Sequence, residues 1–128
     1  MPPSRNKVTP NSDLSNCFDF HLMEDFANTV LETAIVTTLD GQNYDASSIP
    51  KLVSSMNKFI VENMSNACGN FKYISSVLIM SNDSETRQPP QSVVNFSACW
   101  NNDSDNLIDV TWRSDAMTCV ASVIGVLI

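Results

Sequence analysis

Two amphipathic helices ahead of a four-stranded antiparallel sheet, an α+β domain, is the fold class that this sequence predicts. Two observations carry that reading. Apolar residues recur at three- and four-residue steps from Leu22 to Met64, then at two-residue steps from Tyr73 onward. Helices gathered before strands in this way belong to the α+β layer architecture. The length of 128 residues suits one domain around one core.

Residues 1–16 are polar, hold Pro2, Pro3 and Pro10, and show no period, so they read as a tail ahead of a domain spanning 17–128. In the first helix Leu22, Met23, Phe26, Ala27, Val30, Leu31, Ala34 and Ile35 form the apolar face. Asp19 is its expected N-cap, and Asp40-Gly41 its stop. Ser47 or Ser48 can cap the second helix, with Pro50 in its first turn, where the missing N–H is harmless. Ile49, Leu52, Val53, Met56, Phe59, Ile60 and Met64 trace its buried stripe, and Gly69 ends it. Its polar positions, such as Asn57 and Lys58, are expected to face water.

Residues 73–80 form a first strand with both faces largely apolar, which predicts a central place in the sheet. Residues 93–100 alternate, with Val94, Phe96, Ala98 and Trp100 on one face and Val93, Asn95, Ser97 and Cys99 on the other. A third strand spans 107–113 and a fourth, apolar on both sides, spans 117–127. Short polar turns at 101–106 and 114–116 suit hairpins. The link over residues 81–92 is longer and carries Pro89-Pro90, an extended, non-donating pair that suits a strand leaving its own sheet for another protomer.

Composition narrows the function. Seven Lys and Arg against 14 Asp and Glu give a net charge of -7. That argues against a nucleic-acid partner, which needs a basic surface, and against a polybasic membrane anchor. The longest apolar run, near the C-terminus, is half a membrane span, so no membrane insertion is expected. One histidine, His21, rules out an HExxH zinc site, and Gly41, Gly69 and Gly125 are too dispersed for a phosphate-binding loop. Cys17, Cys68, Cys99 and Cys119 offer no C-x-x-C pair, and the N-terminus shows no apolar leader. They are expected to be free thiols in a reducing cytosol, which makes the sequons at Asn63, Asn82, Asn95 and Asn102 accidental. No cofactor or metal is expected. Asp103, Asp105 and Asp109 lack the glycine and glutamate of a calcium loop and read as soluble turn residues.

Phe71-Lys-Tyr-Ile74 with Val77-Leu-Ile-Met80, Cys99-Trp100 before an Asp/Ser-rich turn, Val110-Thr-Trp-Arg113, and Met117-Thr-Cys119 follow one another along the strand half. In that order they resemble the strands of the Tctex-type dynein light chains, a resemblance that runs from about residue 19 to the C-terminus. Tyr44 also stands where the family has a tyrosine. The resemblance implies a homodimer that exchanges its second strand, no catalysis, and binding of disordered segments of the dynein intermediate chain, with cargo proteins as further partners. It implies a cytoplasmic, cytoskeletal location in a microtubule-associated dynein complex, cytoplasmic or axonemal. The peptide is expected to add as a strand at Val93, Asn95, Phe96, Ser97 and Cys99, with Phe71 and Tyr73 as a groove floor or as ordinary packing. Val94, Phe96, Ala98 and Trp100 are expected at the dimer interface. Edge-strand physics agrees, since unpaired N–H and C=O groups give affinity and alternate side chains give specificity.

Two other readings stay beside this one. A dimerising adaptor outside any motor would keep the fold. A small thiol enzyme or hydrolase would need His21 with Cys99 or Cys119, and no acid that would orient such a base is identifiable.

Overall fold

Asp19 starts the helical layer. Its carboxylate accepts the His21 N–H at 3.0 Å and caps a short 3-10 turn, Phe20–Met23, which runs into α1, Glu24–Leu39. The structure is a computed structural model and describes residues 7–82 and 101–128. Within α1, Phe26, Ala27, Val30, Leu31, Ala34, Ile35 and Leu39 are buried, the face expected from their spacing. Leu22 departs from it. It lies in the 3-10 turn and is 73% exposed, while Phe20 takes the buried place. The tighter turn, with three residues per repeat, rotates the face relative to an α-helix. Gly41, at φ 75°, takes the chain away from α1 as expected of a glycine after a helix end.

The second helix, α2, spans Ile49–Ala67 with Pro50 in its first turn. Ser48 holds the cap position without a side-chain cap bond; its hydroxyl donates instead to the Asp45 carbonyl. Met56, Ile60 and Met64 are buried, and so is a polar residue, Asn63. The helix ends just ahead of Gly69, as expected, with Cys68 as its C-cap in an extended conformation. Asn57 does not face water alone. Its Oδ1 accepts the Ser75 hydroxyl at 2.7 Å and ties α2 to the sheet.

Three antiparallel strands are described: β1, Phe71–Ser81; β2, Asn106–Arg113; and β3, Met117–Leu127. Their order is β1-β3-β2. The expected second strand, 93–100, lies outside the described residues, as does most of the link before it. β3 pairs with β1 from Met117↔Ser81 to Leu127↔Phe71, and with β2 from Thr118↔Arg113 to Gly125↔Asn106. The central strand of the described sheet is therefore β3, with nine consecutive buried residues. β1 lies at an edge of that sheet rather than in its middle, and Ile74 and Leu78 on it are exposed. Apolar residues on both faces of β1 do not mark a central strand here; one set meets the helices and the other faces away from them.

The core lies between the helices and the inner face of the sheet, formed by Val77, Ile79, Ile108, Cys119, Ala121 and Val123. Among the described residues every buried side-chain nitrogen or oxygen has a hydrogen-bond partner. Residues from the N-terminal segment join this core at its margin: Val8, Leu14 and Cys17 pack against it. The Val8 N–H donates to Asn63 Oδ1 at 2.7 Å.

Candidate functional site

Besides the outer edge of β1, which no described strand covers either, two features of the sheet bear on a partner. One is the outer edge of β2, which no described strand covers. Beside it, Glu32, Ile35 and Val36 of α1 and Val110, Thr111 and Trp112 of β2 line a shallow groove of about 160 Å³. Its walls are apolar apart from Glu32 and Thr111, as suits the side chains of an extended segment running along the edge.

The other feature is the face of the sheet turned away from the helices. Period two places Ile74 and Leu78 of β1 opposite Ile124 and Val120 of β3, with Leu107 of β2 next in register to Ile124. None of the five belongs to the core cluster under the helices. Ile74 is 58% and Leu78 46% exposed. Val120 and Ile124 beside them are buried, so the open part of this face is the pair on β1, an exposed apolar spot that suits association.

Phe71 and Tyr73, the two expected peptide contacts that fall among the described residues, lie on β1. Phe71 is buried, and its ring centroid stands 5.5 Å from that of Phe20 and 6.1 Å from that of Tyr73. The Tyr73 hydroxyl donates to the Cys68 carbonyl at 2.6 Å, and burial above all pushes its pKa up. Both rings pack on Phe20, and β3 separates their strand from the β2 edge. Val93, Val94, Asn95, Phe96, Ser97, Ala98, Cys99 and Trp100 all lie outside the described residues.

The turn before β2 carries more than soluble chemistry. Asp105 is buried, and its carboxylate accepts the Leu127 N–H, the Asn101 N–H and the Ser104 hydroxyl at 2.9, 2.9 and 3.0 Å. The Leu127 N–H above all, aided by the Asn101 N–H, the Ser104 hydroxyl and nearby His21, holds this carboxyl below its ordinary pKa against the opposing effect of burial. The bonds join the start of β2 to the end of β3. Sequence reasoning missed Asp105 because five polar residues around it give the same turn signal whether or not one is buried.

Residues 21–126 match the family model of the Tctex-1 family. The chain belongs to the Tctex-1 family. A search of curated proteins finds no match. The matched span of the Tctex-1 domain runs from the 3-10 turn almost to the end of β3, so both open features lie within it.

The Tctex-1 family is non-catalytic. Cys119 is fully buried, and burial pushes its thiol up to about 12, which leaves no thiolate to act as nucleophile near neutral pH. His21 is exposed and bonds Asp19 Oδ1 at 2.7 Å. Phe20, its neighbour, packs over Gly125, and Gly125 lies six residue steps along β3 from Cys119, about 20 Å. Among the described residues no group of three or more His, Cys, Asp or Glu could hold a metal ion. Among them, too, no helix is long and apolar enough to cross a membrane.

Proposed function

We propose that this chain is a homodimeric dynein light chain that binds disordered segments of the dynein intermediate chain, and cargo proteins, by strand addition. The observation that carries the reading is the exposed apolar pair Ile74 and Leu78 on the outer face of β1, within a Tctex-1 domain. A second copy of the same chain is its occupant, with the two sheets face to face and the helices outside. The location that goes with this role is the cytoplasm, on microtubule-associated dynein.

The open edge of β2 supports exchange of the strand at 93–100. Asn82 lies at one end of the sheet, where its N–H donates to the Ala116 carbonyl and its Nδ2 to the Ser114 carbonyl. Asn101 lies at the opposite end, joined through Asp105 to Leu127. A strand that reaches the β2 edge of the partner copy through the Pro89-Pro90 link satisfies that edge. Its own far side then offers Val93, Asn95, Phe96, Ser97 and Cys99 to a peptide, and Val94, Phe96, Ala98 and Trp100 to the interface. The groove along α1 receives side chains, while the packed rings of Phe71 and Tyr73 keep β1 in place.

Light scattering during size exclusion tests the dimer. A mass near twice 14.1 kDa is expected for the natural chain, and near 14.1 kDa for Ile74→Glu with Leu78→Glu. Both side chains are exposed, so the variant keeps its fold, checked by circular dichroism. A natural chain that runs as a folded monomer would defeat the two-groove reading. An intermediate-chain peptide that fails to bind the dimer, while other disordered partners do bind, would favour an adaptor outside the motor.

A further inference from the structure

We infer that Cys17 and Cys68 are an oxidisable thiol pair whose disulfide latches the N-terminal segment onto the end of α2. Both are free thiols here. They stand 51 residues apart in sequence, yet the Cys68 sulfur lies 3.4 Å from the Cys17 carbonyl oxygen. A carbonyl oxygen is about 2.4 Å from its own Cα, which brings the Cys17 Cα within about 6 Å of the Cys68 sulfur. A disulfide needs the two sulfurs about 2.05 Å apart, so rotation of the Cys17 side chain toward the neighbouring Cys68 sulfur is the movement that closes the bond. At present that side chain turns aside, its sulfur donating to the Asp19 carbonyl at 3.1 Å.

The backbone around the pair is held in register. Asn70 Nδ2 donates to the carbonyls of both Ser15 and Cys17, at 3.1 and 3.0 Å. The Cys68 N–H is fixed on the Met64 carbonyl at 3.0 Å. Exposure differs in a useful way. Cys17 is half-buried and Cys68 fully buried, so a solution oxidant meets Cys17 first.

With glutathione disulfide as oxidant, the Cys17 thiolate attacks one glutathione sulfur and releases one glutathione thiol. The Cys68 thiolate then attacks the Cys17 sulfur, forming the protein disulfide and releasing the second glutathione thiol. Two electrons pass from the protein dithiol to the glutathione disulfide, and the two cysteine protons end on the two glutathione thiols. A reducing pool reverses both steps, so the latch follows the redox poise.

What it latches is the chain from Val8 to Cys17. Val8 bonds Asn63, and Thr9, Pro10 and Leu14 wall a cleft against Leu22 and Phe26. Closing a long loop mainly removes freedom from the detached state, so the bridged segment spends less time away from the helices.

The test equilibrates the full chain in glutathione buffers from reducing to oxidising, then quenches with acid and digests without reductant. Expected is a peptide joining Cys17 to Cys68, a mass lower by about 2 Da, and its loss in Cys17→Ser. Hydrogen exchange of the Val8 N–H is expected to slow about tenfold or more in the bridged form. Glutathione left on Cys17 without a bridge, or bridging confined to other cysteines, would overturn the pair. A bridged form whose Val8 N–H exchanges at the unbridged rate would overturn the latch.

Discussion

Gly125 is where one hydrogen atom in place of a methyl group decides the packing. A Cβ there would strike the ring of Phe20, which is fully buried and also packs on Phe71 and Tyr73. Gly125→Ala must displace that ring, and overpacking of this kind costs about 1–3 kcal/mol, to be read by urea unfolding. A variant as stable as the natural chain would mean that the ring moves freely. Asp105 makes a second prediction at this scale. Its folded pKa is lowered, so its contribution is present above the unfolded value of about 3.9 and is lost as pH falls through the folded value. Asp105→Asn should therefore lower Tm at neutral pH, and the gap to the natural chain should narrow below about pH 4, where the protonated acid resembles the amide. A gap that stays constant with pH would assign the loss to packing instead. Neither residue was legible in the sequence. A lone glycine and an aspartate in a polar turn look ordinary until a distant segment, Phe20 or Leu127, is brought against them.

At the scale of elements the sequence was more readable. Both helices, the β2–β3 hairpin and the doubly apolar β3 follow from period and punctuation, because burial on one face or two leaves a direct mark on the pattern. Order within the sheet left no such mark. Both β1 and β3 are apolar on both faces, and only the ladders reveal that β3 is the middle strand of those described. Asn63 illustrates the limit within a helix. It follows the spacing of the buried stripe but is polar, and it read as one of several chance sequons. In the fold it is buried, with Oδ1 bound to Val8 and Nδ2 donating to the Phe59 carbonyl at 2.9 Å. A glycan on Asn63 is incompatible with that place. Asn63→Ala leaves the Val8 N–H without this acceptor and should cost about 1–3 kcal/mol, with the exchange of that amide rising while amides of β3 change less. Equal loss of protection everywhere would show that Asn63 holds α2 rather than the N-terminal segment.

The whole molecule turns on how two weak sites become one firm one. The fold class and family were legible because several spaced strand motifs agree in order. The outward face of β1 was not legible, since an apolar β1 face is equally compatible with a helix layer or with a second sheet until the helices are seen to occupy the other side. Under the proposed role, one peptide on one groove gains about 0.5–1.5 kcal/mol for each net main-chain bond and loses about 2–5 kcal/mol in becoming ordered. A single groove therefore binds modestly. A partner that presents two copies of its segment to two grooves gains about 10²–10⁴ in avidity with no new contact. The prediction is that an intermediate-chain peptide fused to a parallel coiled coil binds the natural dimer tighter than the single peptide by that range of about 10²–10⁴, measured by calorimetry. With Ile74→Glu and Leu78→Glu the gain should vanish, because a chain without its partner copy holds no pair of grooves. Equal affinity of the single and paired peptides for the natural dimer would mean that the grooves cannot be spanned together. Loss of affinity in the variant for the single peptide as well would show that the groove is completed across the interface, as an exchanged second strand requires.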